Sequence, residues 1–115
     1  METSAVTTAL AALSHGKRLD IYRLLVRRGP AGFPAGLIAE KLGLPPATLS
    51  FHIRELDRAG LVSSRQDGRF IHYSANFAAM RALVDFLTEN CCSLADEACT
   101  TDCQPVARPA RRRRA

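Results

Sequence analysis

In the first half of the chain, apolar residues recur among polar ones at the spacing of short helices. Apolar side chains recur at helical spacing over residues 6–13 and again over residues 19–26. Residues 29–34 interrupt the pattern with two prolines and two glycines, so we expect the chain to break there. A third helix is expected over residues 35–42, where Gly43 ends it.

A fourth helix is predicted to start at Leu44-Pro45-Pro46 and to run to about Ala59, because proline is tolerated in the first turn of a helix. Its apolar residues Leu49, Ile53 and Leu56 form one stripe. A short helix, a glycine turn and a second helix are the layout of a helix-turn-helix, whose second helix enters the DNA major groove. An ordinary helical hairpin would show the same pattern. The residues turned away from the core to varying degrees are Ala47, Thr48, Ser50, Phe51 and Arg54.

Two strand-like runs follow directly, over residues 61–66 and 69–74. They are joined by Asp67-Gly68, a strong signal for a two-residue hairpin turn because this pair accepts positive φ angles. A hairpin directly after a predicted recognition helix is typical of a winged helix. Arg65 and Arg69 flank its tip, where they are either contacts to phosphate or the minor groove or solvated surface charges.

A last helix is predicted over residues 77–89, with an apolar stripe too long to leave in water. We expect it to pair with the first helix and with a second copy of the chain, although packing within its own domain would also cover the stripe. The predicted fold is therefore mainly α with a small β-hairpin, a homodimeric winged helix-turn-helix over residues 1–90. Residues 91–115 lose the periodicity and are predicted to be a cysteine-containing effector segment and a disordered basic tail.

The formal net charge of +5 is a weak argument for DNA binding, because it belongs to the tail. Arginines at positions 108 and 111–114 supply five positive charges, and the residues before Arg108 carry 11 basic and 11 acidic side chains. DNA binding must therefore be argued from the placement of residues in the body of the domain. The sequence shows no signal-peptide pattern or long apolar span, which predicts a cytoplasmic protein without membrane contact. No catalytic Ser/His/Asp or paired-carboxylate arrangement is readable, so an enzyme is not expected.

All four cysteines of the chain fall near its end: Cys91, Cys92, Cys99 and Cys103. Thiolates select thiophilic ions such as Cu(I), Zn(II) and As(III). In a reducing compartment, ligands or redox thiols are favoured over structural disulfides. Adjacent helical residues diverge by about 100°, so Cys91 and Cys92 converge on one ion only where the helix ends, and Asn90 is a suitable terminator. The alternatives are packing thiols, a redox switch and a four-cysteine zinc or cadmium site.

Five segments in one order carry a resemblance to a known family. They are LSHGKRL at 13–19, IAEKLGL at 38–44, TLSFHIREL at 48–56, AGLV at 59–62 and DGRFIHY at 67–73. Over about residues 10–87 the chain resembles the ArsR/SmtB family of winged helix-turn-helix metalloregulatory repressors. The resemblance implies a homodimer that binds double-stranded operator DNA when it carries no effector. The residues expected at the DNA are Ala47, Thr48, Ser50, Phe51, His52, Arg54, Arg65 and Arg69.

Two differences between this chain and the family's known metal sites narrow the choice of effector that the resemblance implies. Residues 33–38 carry no cysteine where the family's Cys-Val-Cys arsenic site stands, and the last helix offers Asp85 and Glu89 without the histidine of its zinc site. What remains is similar to the branch in which vicinal cysteines at the end of the last helix, with a third in the tail, bind trivalent arsenic.

As(III) keeps a lone pair and prefers a pyramid of three thiolates. Cys91, Cys92 and Cys99 are the expected ligands, with Cys103 least certain. The expected function is a repressor released by As(III) or chemically similar Sb(III). The alternatives are a redox-sensing regulator and a thiolate zinc or cadmium sensor. Negative neighbours, Asp96, Glu97 and Asp102, argue mildly against the redox sensor, because they raise a thiol pKa.

Overall fold

The computed structural model describes residues 1–95, which form five helices and one three-stranded antiparallel sheet. The elements are α1 (Thr3–Leu13), α2 (Gly16–Arg28), β1 (Phe33–Pro34), α3 (Ala35–Leu42), α4 (Pro46–Arg58), β2 (Val62–Asp67), β3 (Phe70–Ala75) and α5 (Phe77–Thr88). This is a winged helix-turn-helix, in which α3 and α4 are the helix-turn-helix and the β2–β3 hairpin, residues 62–75, is the wing. The predicted fold class is confirmed. Most of the predicted effector segment and tail, residues 96–115 of the range 91–115, lies outside the described residues.

One hydrophobic core joins all five helices to the base of the wing. The predicted stripe of α4 faces inward, since Leu49, Ile53 and Leu56 are all buried. The burial of these side chains fixes the rotation of α4 about its axis, because apolar burial is the dominant favourable term in folding. The largest fully buried side chains are Ile21, Leu25, Ile38, Leu49, Leu56 and Leu61.

The sheet has the strand order β1-β3-β2, so it contains one strand that the sequence did not predict. Phe33 pairs with Tyr73, and Pro34 pairs with His72. The expectation of a simple chain break over residues 29–34 is wrong for its last two residues. Proline is tolerated here because β1 is an edge strand, which has a free side for a residue without an N–H donor.

The turn of the wing lies one residue later than predicted. Asp67 pairs with Phe70, so the two loop residues are Gly68 and Arg69. Gly68 has a φ angle of 63°, and Arg69 keeps a negative φ. Positive φ at the first loop residue alone is the pattern of a type II′ turn, which places glycine there. Arg69 therefore stands at the tip of the wing and does not flank it.

Helix α5 is anchored at its start to the end of α4. Asn76 caps α5, because its Oδ1 accepts a hydrogen bond from the Ala79 N–H at 3.1 Å. Its Nδ2 donates to the Gly60 carbonyl at 3.1 Å, and its backbone N–H donates to the Leu61 carbonyl at 2.8 Å. One residue thus ties α5 to the segment between α4 and the wing. Within residues 1–95 no helix is long and apolar enough to cross a membrane.

Candidate nucleic-acid interface and cysteine site

The outward face of α4 carries most of the residues that the sequence assigned to DNA. All of these side chains are exposed, and Phe51 exposes 50% of its surface. They are exposed because the buried stripe of α4 lies on the opposite side of the helix. The exposed members of the predicted set on this helix are Ala47, Thr48, Ser50, Phe51 and Arg54.

His52 is a correction to the predicted set. Its side chain is only 6% exposed, so it faces the interior and does not reach a groove. Its Nδ1 accepts a hydrogen bond from Arg18 Nε at 3.1 Å, and its ring centroid lies 4.7 Å from that of His15. His52 therefore joins α4 to the start of α2. Its spacing of three residues after Leu49 and four before Leu56 places it on the buried stripe, a signal that the sequence did contain.

The surroundings of His52 disfavour its protonated form. Burial lowers its pKa from the ordinary value of 6.5, and the nearby positive charges of His15, Arg18 and Lys17 lower it further. The hydrogen bond from Arg18 acts in the same direction, because Nδ1 must be unprotonated to accept it. His52 is therefore neutral at neutral pH, and protonating it would place a charge against Arg18.

Acidification should destabilise the fold through His52. Because the folded-state pKa is below the unfolded value, this contribution to stability is present above pH 6.5 and is lost as the pH falls through the folded pKa. We expect the urea midpoint to fall more between pH 7.5 and pH 5.5 in the natural protein than in His52→Gln, whose amide accepts from Arg18 without titrating. An equal fall in both proteins would contradict this role.

The wing presents its own set of exposed residues. Arg65 and Arg69 are both exposed, as predicted, and Arg65 Nη2 donates to the Ala31 carbonyl at 3.4 Å. Phe70 and Ile71 at the tip expose 63% and 45% of their surfaces. A surface cleft of about 300 Å³ separates α4 from the sheet, with Ser50 and Arg54 on its helix side and Ser64 and Tyr73 on its sheet side.

Arg18 is the residue that sequence analysis missed. It lies 34 positions before His52, and its guanidinium carbon also lies 5.6 Å from the centroid of the Phe51 ring. No local spacing pattern connects residues so far apart in sequence, so this contact was visible only in the fold.

Cys91 and Cys92, here called the cysteine pair, follow the end of α5. The helix ends at Thr88, and Asn90 and Cys92 have φ angles of 58° and 64°. The helix has already ended at Glu89, whose backbone is extended, one residue before the predicted terminator Asn90. The left-handed backbone of Asn90 and Cys92, uncommon outside glycine, keeps the chain from resuming the helix. The two Sγ atoms lie 3.6 Å apart, and Cys91 is exposed.

The geometry of the cysteine pair suits a shared thiophilic ion. Two sulfurs each about 2.3 Å from one ion lie at most about 4.6 Å apart, and the observed 3.6 Å is within that limit. Residues 1–95 contain no cluster of three metal-binding side chains, so these two sulfurs alone do not complete a site. Cys99 and Cys103, the predicted further ligands, lie outside the described residues.

Comparison with known proteins places the chain among regulators. The helix-turn-helix domain family matches residues 13–65. The nodulation protein NolR of Rhizobium meliloti is 35% identical over 80 residues, which cover 70% of this chain and 63% of that protein. The chain thus spans less than two thirds of the length of this relative.

Solved structures agree with the domain match. The ArsR-like transcriptional regulator from Rhodococcus sp. RHA1 is 30% identical with a TM-score of 0.66, over 73% of this chain and 76% of that one. The homodimeric winged helix-turn-helix DNA-binding domain of Mb0332 from Mycobacterium bovis, a possible ArsR-family regulator, is 27% identical with a TM-score of 0.60, over 84% and 88%. With the fold and the recognition-helix layout described above, these likenesses establish that the chain belongs to the ArsR family of winged helix-turn-helix transcriptional regulators.

Proposed function

We propose that this regulator is a homodimeric repressor that leaves its operator when As(III), or chemically similar Sb(III), binds the cysteine pair and a third cysteine. The observation that carries the proposal is the 3.6 Å separation of the two Sγ atoms directly after α5. The partner of this regulator is double-stranded DNA, and the regulator acts in the cytoplasm without contacting a membrane.

The DNA-binding part of the proposal rests on the exposed face of α4 and on the wing. α4 is inserted in the major groove, where Ser50 and Arg54 offer hydrogen-bonding groups to base edges. Arg65 and Arg69 on the wing contact phosphate or the minor groove. In a dimer the two recognition helices sit about 34 Å apart, one turn of DNA.

The dimer part of the proposal rests on the apolar surface that one protomer leaves uncovered. Val84 and Leu87 on α5 expose 52% and 58% of their surfaces, and Leu10 on α1 exposes 41%. Covering such side chains with those of a second copy removes apolar surface from water. The homodimeric structure from Mycobacterium bovis supports this arrangement for the same fold.

Helix α5 can couple effector binding to DNA binding, because one of its ends lies near the cysteine pair and the other near the end of α4. The cysteine pair lies just beyond its carboxyl end, and Asn76 at its start is hydrogen-bonded to the Gly60 and Leu61 carbonyls that follow α4. Ligation that moves α5 therefore moves the end of the recognition helix and the base of the wing. A coupling of about 1 to 3 kcal/mol, the usual allosteric range, lowers DNA affinity about 5- to 150-fold.

The third sulfur comes from the segment after the cysteine pair. Six residues separate Cys92 from Cys99, enough for a loop that folds back at a modest cost in closure entropy. Cys103 is the less certain candidate. Zn(II) or Cd(II) remains a weaker alternative, because neither Cys91–Cys92 nor Cys99–Cys103 has the two-residue spacing usual in structural zinc sites, and Cys91 and Cys92 have no residue between them.

A redox-sensing regulator is the second candidate, because an oxidant can join crowded thiols such as those of the cysteine pair in a disulfide. In that function a peroxide takes two electrons from two thiols, the sulfurs join, and the peroxide leaves as two molecules of water. Arsenic ligation needs thiolates, so both candidates start from reduced thiols, and only the redox sensor releases DNA with its thiols oxidised. The reduced protein is the one to test with arsenite.

Fluorescence anisotropy of a labelled operator duplex separates these candidates. The preformed complex is titrated with As(III), Sb(III), Cd(II) and Zn(II) under a reductant, and with peroxide without it. The proposal expects release by As(III) and Sb(III) at concentrations where Zn(II) and Cd(II) leave the complex intact. Release by peroxide alone would assign the site to redox sensing, and release by Zn(II) or Cd(II) alone would assign it to a divalent metal.

Ser50→Ala and Arg54→Ala should each weaken operator binding far more than binding to random DNA. Loss of one base contact costs about 1 to 3 kcal/mol, whereas random DNA is held by charge without base reading. Affinities of each variant for the two duplexes at one salt concentration measure the difference. Equal losses on both would mean that α4 contacts the DNA backbone and does not read sequence.

A further inference from the structure

Phe51 is a large apolar side chain on the exposed face of α4, beside the hydrogen-bonding side chains of Ser50 and Arg54. At about 100° per residue, a helix places it about 160° from both Leu49 and Ile53 of the buried stripe. It is accordingly 50% exposed. Ala47 and Arg54 lie on the same outward side and are exposed as well. Half of the phenyl ring is therefore open to a partner of the protomer.

The ring is supported from behind. The guanidinium carbon of Arg18 lies 5.6 Å from its centroid, and the ring of His52 meets it edge-on with centroids 5.6 Å apart. Arg18 Nε also donates to His52 Nδ1 at 3.1 Å, which ties both supports together. The exposed ring is therefore held in place before any partner arrives, and ordering it on binding costs little entropy.

The major groove offers one apolar group that a phenyl ring can recognise. Thymine carries a 5-methyl group there, which hydrogen-bonding side chains such as Ser50 and Arg54 cannot read but an apolar side chain can. We propose that Phe51 is a specificity-determining residue that contacts the 5-methyl group of a thymine in each half-site. The inference rests on the proposed function, since it requires α4 in the major groove.

The first test removes the thymine 5-methyl group from the DNA and leaves the protein unchanged. A duplex is selected from a randomised pool by the natural protein, and each thymine is then replaced singly by uracil, which differs only in lacking the methyl group. We expect about a 4-fold loss of affinity at one thymine in each half-site and about a 16-fold loss when both are replaced, the effect of burying one methyl group per half-site. Phe51→Ala should bind the thymine and uracil duplexes equally.

Phe70→Ala is the matched control, because Phe70 is also an exposed phenylalanine but lies at the tip of the wing. Its removal should preserve the preference for thymine at the same positions, whatever it does to overall affinity. Equal affinity of the natural protein for thymine and uracil at every position would overturn the inference while leaving sequence-specific binding intact. Failure to select any sequence would overturn the proposed function together with it. Persistence of the thymine preference in Phe51→Ala would assign the methyl contact to another residue.

Discussion

Replacing either cysteine of the pair by serine should leave operator affinity almost unchanged and abolish release by arsenite. Both residues follow α5, outside α4 and the wing, so the DNA-binding surface remains intact. A serine hydroxyl is a poor ligand for a thiophilic ion, because soft ions select thiolates. Where arsenite lowers the DNA affinity of the reduced natural protein about 5- to 150-fold, Cys91→Ser and Cys92→Ser should show no such change. Anisotropy of the labelled operator complex measures both quantities.

Ser93→Ala is the matched control, since Ser93 lies in the same short segment but offers no thiol. This variant should release DNA as the natural protein does. If both single cysteine variants still respond to arsenite, the assignment of the cysteine pair is wrong. If Ser93→Ala also fails to respond, the conformation of the segment and not its thiols controls release.

Gly32→Ala should be among the most destabilising single substitutions in the domain. Gly32 has a φ of 72°, and a Cβ there would overlap the carbonyl oxygen of Tyr73 on β3. Left-handed backbone costs a residue with a Cβ about 1 to 2 kcal/mol, and overpacking adds about 1 to 3 kcal/mol. We expect the free energy of unfolding, measured by urea denaturation, to fall by about 2 to 5 kcal/mol, the range of these two costs together.

Gly43→Ala separates the cost of left-handed backbone from the cost of overpacking. Gly43 has a similar φ of 65°, but a Cβ there would meet no heavy atom within 4 Å. Its substitution should cost only the backbone part, about 1 to 2 kcal/mol. Equal losses for the two variants would mean that β1 moves away from β3 at little cost, and that the Gly32–Tyr73 contact does not hold the sheet.

The helical part of this fold was predictable because helices in this domain are amphipathic. The spacing of Leu49, Ile53 and Leu56 located α4 and its exposed face, and Pro46 and Gly60 marked its limits to within two residues. Strand β1 was not predictable in the same way. Two residues, one of them a proline, carry no periodicity, and their pairing with Tyr73 and His72 is a contact across about 40 positions.

The sequence located the exposed face of α4 and the wing, but not the position of every side chain assigned to them. His52 was assigned to DNA because it lies among exposed residues in sequence, whereas its position on the buried stripe turns it toward Arg18. The turn of the wing was displaced by one residue, because Asp67-Gly68 and Gly68-Arg69 both contain the glycine that a tight turn needs. The arsenic assignment of the cysteines stays a prediction.

The most direct test of release by arsenic is an arsenic X-ray absorption spectrum of the reduced protein–operator complex. One equivalent of arsenite is added per protomer, and release of the DNA is followed in the same sample. We expect arsenic bound by three sulfurs, drawn from the cysteine pair and from Cys99 or Cys103, together with free DNA. In Cys99→Ser or Cys103→Ser, loss of one sulfur identifies the third ligand. Arsenic that keeps its oxygen ligands would rule out the thiolate site, and arsenic bound by three sulfurs while the DNA stays bound would rule out release by arsenic.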